Sequence, residues 1–181
     1  MTRFLLWLLG GVVLGGIIHI MVILTLPLLD EDTVWTRIAA LGADNKMIIL
    51  PEIAAGQTNP LGLDPEVIYG LCRIDLAPGP AYLRGTLPEA PWSVALFNEA
   101  GVVTYSTTNR DGIGQTLDLG IFNAAQTRLL AQQQLEVAEG VLIVESVGDR
   151  LFALVRLLPP QRAVRARLAA ALAEVSCGNQ G

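Results

Sequence analysis

The residues best suited to chemistry lie around one polar turn near the middle of the chain. Arg110 stands beside Asp111 directly after a strand-like run, and Trp92 and Tyr105 lie in the two runs before the turn. A guanidinium group can hold an anionic ligand. The sequence therefore predicts Trp92, Tyr105 and Arg110 as possible ligand contacts. The alternative is an ordinary turn, whose Asn, Asp and Gly are chosen for their backbone conformations.

Most kinds of catalytic site are excluded by residue type. The sole histidine, His19, lies in the apolar N-terminal segment, so the rest of the chain has no histidine for a catalytic triad, a Cys–His dyad or a usual zinc site. The carboxylates remain, but no regularly spaced acidic loop typical of a calcium site occurs. We therefore predict no catalytic residue, no cofactor and no metal ligand. A carboxylate-based enzyme stays as an alternative.

The N-terminal segment predicts a transmembrane helix. Residues Phe4 to Leu29 contain no Asp, Glu, Lys or Arg. A helix of that length covers about 39 Å, and the hydrocarbon core of a bilayer is about 30 Å thick. A removed signal peptide is the alternative, but its apolar region is usually about 7–15 residues and precedes small residues at a cleavage site. The segment here is longer and leads into TLPLLDED, which favours a retained anchor.

The charges that flank this helix predict its direction in the membrane. Arg3 precedes it, and Asp30, Glu31 and Asp32 follow it. Positive charge favours the cytoplasmic side, which places residues 1–3 in the cytoplasm, the span at 4–29 and the remainder outside. The domain organisation predicted for the exterior is a juxtamembrane helix and loop region at 30–71 and a β-rich domain at 72–181.

The exterior part is acidic. Removing Arg3 from the 12 basic residues leaves 11 against 17 acidic ones, a net charge of −6. Such a domain repels nucleic acid and anionic lipid headgroups, which argues against both as ligands, and we expect no nucleic-acid partner. The bilayer is the one partner that the span itself implies.

The two cysteines predict a disulfide. Cys72 and Cys177 form an even pair, and in an oxidising compartment such a pair favours a bond. A bond that closes a loop of about 100 residues stabilises the fold by about 4–5 kcal/mol in the chain-entropy model. Two separate buried thiols are the alternative.

The transmembrane segment carries a possible pairing face. Gly11 and Gly15 form a G-x-x-x-G motif, and His19 lies one helical turn further along. Small residues let two helices approach closely in a membrane, so Gly11, Gly15 and His19 predict contact with a membrane-protein partner or a homodimer. The alternatives are that glycine is simply common in such helices and that His19 is hydrogen-bonded locally.

The exterior part reads as α+β, with a mainly antiparallel sheet and a few peripheral helices. Asn98 to Gly101 predicts a hairpin turn, and Gly148-Asp149 predicts a second one. In the last helix, Val164, Leu168, Leu172 and Val175 share one stripe. The predicted strands are 46–50, 72–76, 81–87, 92–98, 102–108, 116–122, 141–147 and 150–158, and the predicted helices are 32–42, 64–71, 123–134 and 161–175.

The middle of the chain also resembles a known family. Its motif elements are Cys72 and Asp75 before Gly79-Pro80, then Trp92-Ser93, then Tyr105 and Asn109-Arg110, and finally Arg156, Pro159-Pro160 and Cys177. In these features the chain resembles the small membrane-anchored bacterial proteins of the domain-of-unknown-function family 1254. The resemblance covers nearly the whole chain and implies fold and topology but no catalytic residues. The order Asn109-Arg110-Asp111 departs from the Asp-Arg order usual in the family.

Together these observations predict a single-pass protein of a bacterial inner membrane. Its N-terminus would be cytoplasmic and its disulfide-closed domain periplasmic. We expect an accessory or interaction module of the cell envelope. The alternative is a periplasmic domain that binds a ligand or acts as an enzyme.

Overall fold

A computed structural model describes residues 2–29, 34–54, 56–110, 115–132 and 140–179. The chain forms an N-terminal apolar helix followed by a mainly antiparallel β domain with a few helices, as the sequence predicts. The helices are α1 (Thr2–Leu29), α2 (Val34–Ala39), α3 (Ala124–Gln132) and α4 (Arg165–Ala173), with a 3-10 turn at Arg162–Val164. The strands are β1 (Ile48–Ile49), β2 (Ile68–Asp75), β3 (Ala81–Thr86), β4 (Trp92–Asn98), β5 (Val103–Thr108), β6 (Thr116–Asn123), β7 (Leu142–Ser146), β8 (Arg150–Leu157) and β9 (Ser176–Asn179).

The α1 helix is apolar and long enough to cross a membrane. The segment Thr2–Leu26 has the length and the apolar composition of a membrane span, and none of it is buried against the rest of the protein. Leucine, isoleucine and valine side chains on all sides of the helix are exposed. An isolated helix that is apolar all round is typical of a membrane span or a signal sequence.

The strands form two sheets. The first has the order β1-β2-β8-β4-β5 and the second β7-β6-β3-β9. All neighbouring strands are antiparallel except β6 and β7, which are parallel. The α3 helix lies between these two strands in the chain, as a parallel connection requires. Its N-terminus has a capping box: the Asn123 side chain accepts from the Gln126 backbone N–H, and the Gln126 side chain accepts from the Asn123 N–H, both at 2.9 Å.

The main core lies between the inner faces of the two sheets. The first sheet contributes Ile74, Leu96 and Val155, and the second contributes Leu83 and Leu119, all fully buried. Because β8 lies in the centre of the first sheet, its alternate residues 151, 153, 155 and 157 all point into this core. The two layers therefore form a β-sandwich.

The first predicted hairpin is confirmed and the second is wrong. β4 and β5 pair across Asn98 to Gly101, where the Asn98 side chain accepts from the Val102 N–H at 2.9 Å. The run after Gly148-Asp149 does not fold back on β7. Instead β8 pairs with β2 and β4 in the first sheet, while β7 pairs with β6 in the second. A turn sequence between two apolar runs predicts a turn, but it does not show that the two runs pair in the same sheet.

The helix predicted at residues 64–71 is also wrong. The Asp64 carboxylate accepts from the Glu66 N–H at 2.8 Å, which makes a single turn. From Ile68 the chain is strand β2, whose full register with β8 runs from Ile68–Leu157 to Asp75–Arg150. Pairing with the central strand therefore overrides the helical start signal of Asp64-Pro65.

The last helix buries Leu168 and Leu172, and Val175 beyond it is also buried, as the predicted stripe requires. The α4 helix packs on β1 and β2. Arg165 holds it there, because its guanidinium donates to the carbonyl of Val67 at 3.0 Å. The strand that follows, β9, has no counterpart in the sequence prediction.

The predicted disulfide between Cys72 and Cys177 is present, with Cα atoms 6.5 Å apart. Cys72 lies in β2 of the first sheet and Cys177 in β9 of the second. The bond thus joins the two sheets.

We expect the double substitution Cys72→Ala with Cys177→Ala to lower the free energy of unfolding by about 2–5 kcal/mol. The reason is that the unfolded chain loses a long covalent loop. Urea unfolding followed by tryptophan fluorescence measures the loss. Mass spectrometry without reductant should find the two cysteine peptides linked in the parent protein, and two freely alkylated thiols would contradict the bond.

A second prediction concerns the close contact between β9 and Asn45. Gly178 has φ +137°, and a Cβ atom there would lie 2.9 Å from the Cβ of Asn45. Gly178→Ala should therefore cost about 1–3 kcal/mol of stability. Gly79→Ala is the matched control, because no atom lies within 4 Å of its added Cβ. Equal unfolding midpoints for the two variants would show that Gly178 does not pack closely against Asn45.

Candidate functional site

The outer face of the first sheet carries the candidate site. Along β8, the side chains that alternate with the core residues are Arg150, Phe152, Leu154 and Arg156. Phe152 and Leu154 pack in a second apolar cluster, which also includes Ile38 of α2. The first sheet is therefore apolar on both faces, and its outer face needs a cover of its own.

That cover is α2 together with Leu50, Leu61 and Leu63 from the segment that precedes β2. It leaves an apolar cavity of about 260 Å³ between itself and the sheet. Phe97 and Phe152 stack in its wall, with ring centroids 4.8 Å apart and planes within 3° of each other. Among the described residues the lining carries no charged side chain, and it includes Val34, Ile38, Leu61, Leu63, Leu71 and Leu154.

At one end of this face the charges are paired. Arg150 lies 2.7 Å from Glu99, and Arg73 binds Asp44. Both guanidinium groups also lie over the Trp35 ring, at 5.9 and 5.6 Å from its centroid. Because each arginine already has an acidic partner and a ring, this end is a structural contact that fastens α2 to the sheet.

At the other end two arginines face an open cleft of about 390 Å³. Arg110 and Arg156 line it together with Ser93 and the largely buried Trp92. Within the parts of the chain that the structure describes, neither arginine forms a salt bridge. In a domain with a net charge of −6, this cleft is a local cationic site.

The structure brings together two of the three predicted ligand contacts. Trp92 and Arg110 line the same cleft, although Trp92 is only 5% exposed and packs mainly in the core. Tyr105 does not line it, because its side chain points to the opposite face of the sheet and packs against the main core. Asp111 and Gly112, the remainder of the predicted turn, lie outside the described residues.

Sequence reasoning missed the cavity and the role of Arg156 beside Arg110. A signal existed in the alternation of Arg150, Phe152, Leu154 and Arg156, which share one face of a strand. It was hidden because both faces of β8 are apolar over most of its length, so the run shows no period of two.

The predicted pairing face on α1 is open along its whole length. An added Cβ atom at Gly11 or Gly15 would meet no atom within 4 Å. His19 lies on the exposed surface of the same helix. The glycines at 10 and 11 contribute to a shallow apolar depression beside Trp7.

Five acidic residues of the described β domain form salt bridges with arginine: Asp44, Glu52, Glu66, Glu99 and Asp118. Asp118 lies 2.7 Å from Arg84, and Glu66 lies 2.7 Å from Arg162, whose pKa this carboxylate raises by hydrogen bonding. No group of three or more His, Cys, Asp or Glu side chains in these residues is placed to hold a metal ion. The arrangement can therefore bind an anion or an apolar group more readily than it can catalyse acid–base chemistry.

Comparison with known proteins shows the fold alone. No protein-family profile matches this chain, and no curated protein matches it. A solved structure that does match is the VPA0106 protein from Vibrio parahaemolyticus, at 12% sequence identity and a TM-score of 0.52. The match covers 74% of this chain and 29% of that chain, so this chain spans less than a third of the length of its structural neighbour. The β-sandwich is thus an arrangement that also occurs within a larger protein.

Proposed function

We propose that this protein is a membrane-anchored accessory or interaction module of a bacterial cell envelope. The observation that carries the proposal is the union of two features. One is an apolar helix with no buried segment, and the other is a domain whose two sheets are joined by a disulfide. The helix supplies the anchor, and the covalent bond suits an oxidising exterior compartment.

In this proposal the N-terminus is cytoplasmic and the sandwich is periplasmic. Arg3 before the helix and the acidic residues 30–32 after it support that orientation. The resemblance to the domain-of-unknown-function family 1254 supports the same topology. We extend it to a Gram-negative inner membrane on that basis.

The partner in this proposal is a second membrane helix, either of another protein or of a second copy. Support comes from the smooth surface at Gly11 and Gly15, over which no other part of the described chain packs. His19, one turn further along, would add a hydrogen bond across such a contact, since a polar group in a membrane needs a partner.

A second candidate function is ligand binding by the sandwich. The cleft that brings Arg110, Arg156 and Trp92 together favours it, because two guanidinium groups with no salt bridge to any described residue suit an anionic ligand. The carboxylate-based enzyme has less support, since Asp44, Glu52, Glu66, Glu99 and Asp118 are each paired with an arginine.

We expect the N-terminal helix to be retained in the mature protein. Intact mass measured on protein from isolated membranes should equal that of the full chain, and sodium carbonate at high pH should fail to extract it. A soluble product that begins after residue 29 would instead identify α1 as a removed signal sequence.

We expect the pair Gly11→Leu with Gly15→Leu to abolish co-purification of a partner or crosslinking of a second copy. The added side chains separate the two helix backbones, which weakens the contact at least about tenfold. The pair Val13→Leu with Ile17→Leu is the control, because it creates the same residues on the opposite helix face. If both pairs behave like the parent, the pairing face is wrong.

A further inference from the structure

We infer that the outer face of the first sheet binds a single-chain anionic amphiphile, namely one acyl chain that ends in a carboxylate or phosphate group. The chain would occupy the apolar cavity beneath α2, and the anionic group would bind Arg156 and Arg110. This inference gives a ligand class to the proposed ligand-binding function, and it relies on the proposed anchor to bring the domain to a lipid surface.

The strand register places the two halves of such a ligand next to each other. Leu154 pairs with Leu71 on one side and Ala95 on the other, which makes an apolar row across three strands. Arg156 lies two residues further along β8, where it pairs with Tyr69 and Ser93. At the rise of a strand the two rows are about 7 Å apart on the same face, so polarity changes sharply over a distance that one short chain spans.

The cavity suits one acyl chain. Its volume of about 260 Å³ lies just below the range of about 300–1,000 Å³ that holds drug-sized ligands. Its walls are aliphatic side chains and the stacked pair Phe97 and Phe152. An apolar cavity of this kind binds apolar groups and excludes water, because it offers water no hydrogen-bond partners.

The cleft supplies the positive charge that the anionic end of the ligand needs. The arginines at the other end of the sheet, Arg73 and Arg150, are neutralised by Asp44 and Glu99, whereas Arg156 and Arg110 have no acidic partner in the described residues. Ser93, which pairs with Arg156 in the sheet, adds a hydroxyl group to the lining. A carboxylate or phosphate can accept from both guanidinium groups at once.

The position of the cavity relative to α1 gives the source of the ligand. Val34 lines the cavity and follows the last residue of α1 by five positions. Even a fully extended link of that length reaches only about 18 Å. With α1 in a bilayer, the cavity therefore lies within reach of the headgroup region and of lipids that leave the membrane one chain at a time.

Photocrosslinking of the full chain in phosphatidylcholine vesicles tests the inference. Three probes, each with a diazirine in the acyl chain, are compared: a fatty acid, a lysophosphatidylglycerol and the methyl ester of the fatty acid. Digestion and mass spectrometry then map the labelled peptides. We expect one or both anionic probes to label peptides that contain Leu63, Phe97 or Leu154, and the neutral ester to label them at least about tenfold less.

Two substitutions separate the two halves of the site. Leu154→Trp fills the cavity and should reduce labelling there about tenfold, with Ile143→Trp on the exposed edge of the second sheet as its control. Arg156→Gln should cause a similar loss for the anionic probes but none for the ester. Its control, Arg167→Gln, removes an exposed charge from α4. Because Arg156 is exposed, its variant keeps the test valid even if the cavity variant fails to fold.

The outcomes are distinct. Labelling of α1 by every probe reports the anchor and so tests the proposed function separately. Labelling of α1 without labelling of the cavity peptides would overturn the inference while leaving the anchor in place. Equal labelling of the cavity by acid and ester, unaffected by Arg156→Gln, would also overturn it.

Discussion

The burial of both faces of the first sheet is the constraint on which the rest of the structure depends. Its central strand, β8, is apolar at residues 151–155 and must be covered on two sides. The second sheet covers the inner face, and α2 with Leu50, Leu61 and Leu63 covers the outer face. Burial of apolar surface contributes about 25 cal/mol per Å² to folding, so the loss of either cover would expose apolar residues of β8 to water and destabilise the domain. The β-sandwich and the cavity under α2 thus have one cause.

The two covers differ in how well they fit. The inner face meets a regular sheet, and its aliphatic residues are almost fully buried. The outer face meets one short helix and an irregular loop, which cannot follow the pleat of a sheet, and a cavity remains where Phe97 and Phe152 stack. Close packing is the rule in protein interiors, so an empty space of this size beneath α2 is informative. It is the physical basis for placing a ligand on that face.

Local signals in the sequence predicted most of the elements but not their arrangement. The Asn98–Gly101 turn and the stripe of Leu168 and Leu172 are properties of a few adjacent residues, and each is confirmed. The pairing of β8 with β2 and β4 depends on residues about 50 to 90 positions apart, which no local pattern encodes. For the same reason Arg110 could be singled out from its turn, but Arg156 could not be placed beside it. Tyr105 was misplaced because alternation shows that neighbouring residues point to opposite faces but not which face is which.

The chain order of the disulfide has a consequence for export. Cys72 enters the oxidising compartment 105 residues before Cys177 if the chain crosses the membrane from its N-terminus. The two cysteines of the sequence allow only one intramolecular pairing. Maturation of this domain within one chain therefore calls for a thiol oxidase but for no disulfide isomerase, because there is no wrong partner from which the bond has to be rescued. The timing of covalent closure is set by the arrival of β9, after every other strand has already been delivered.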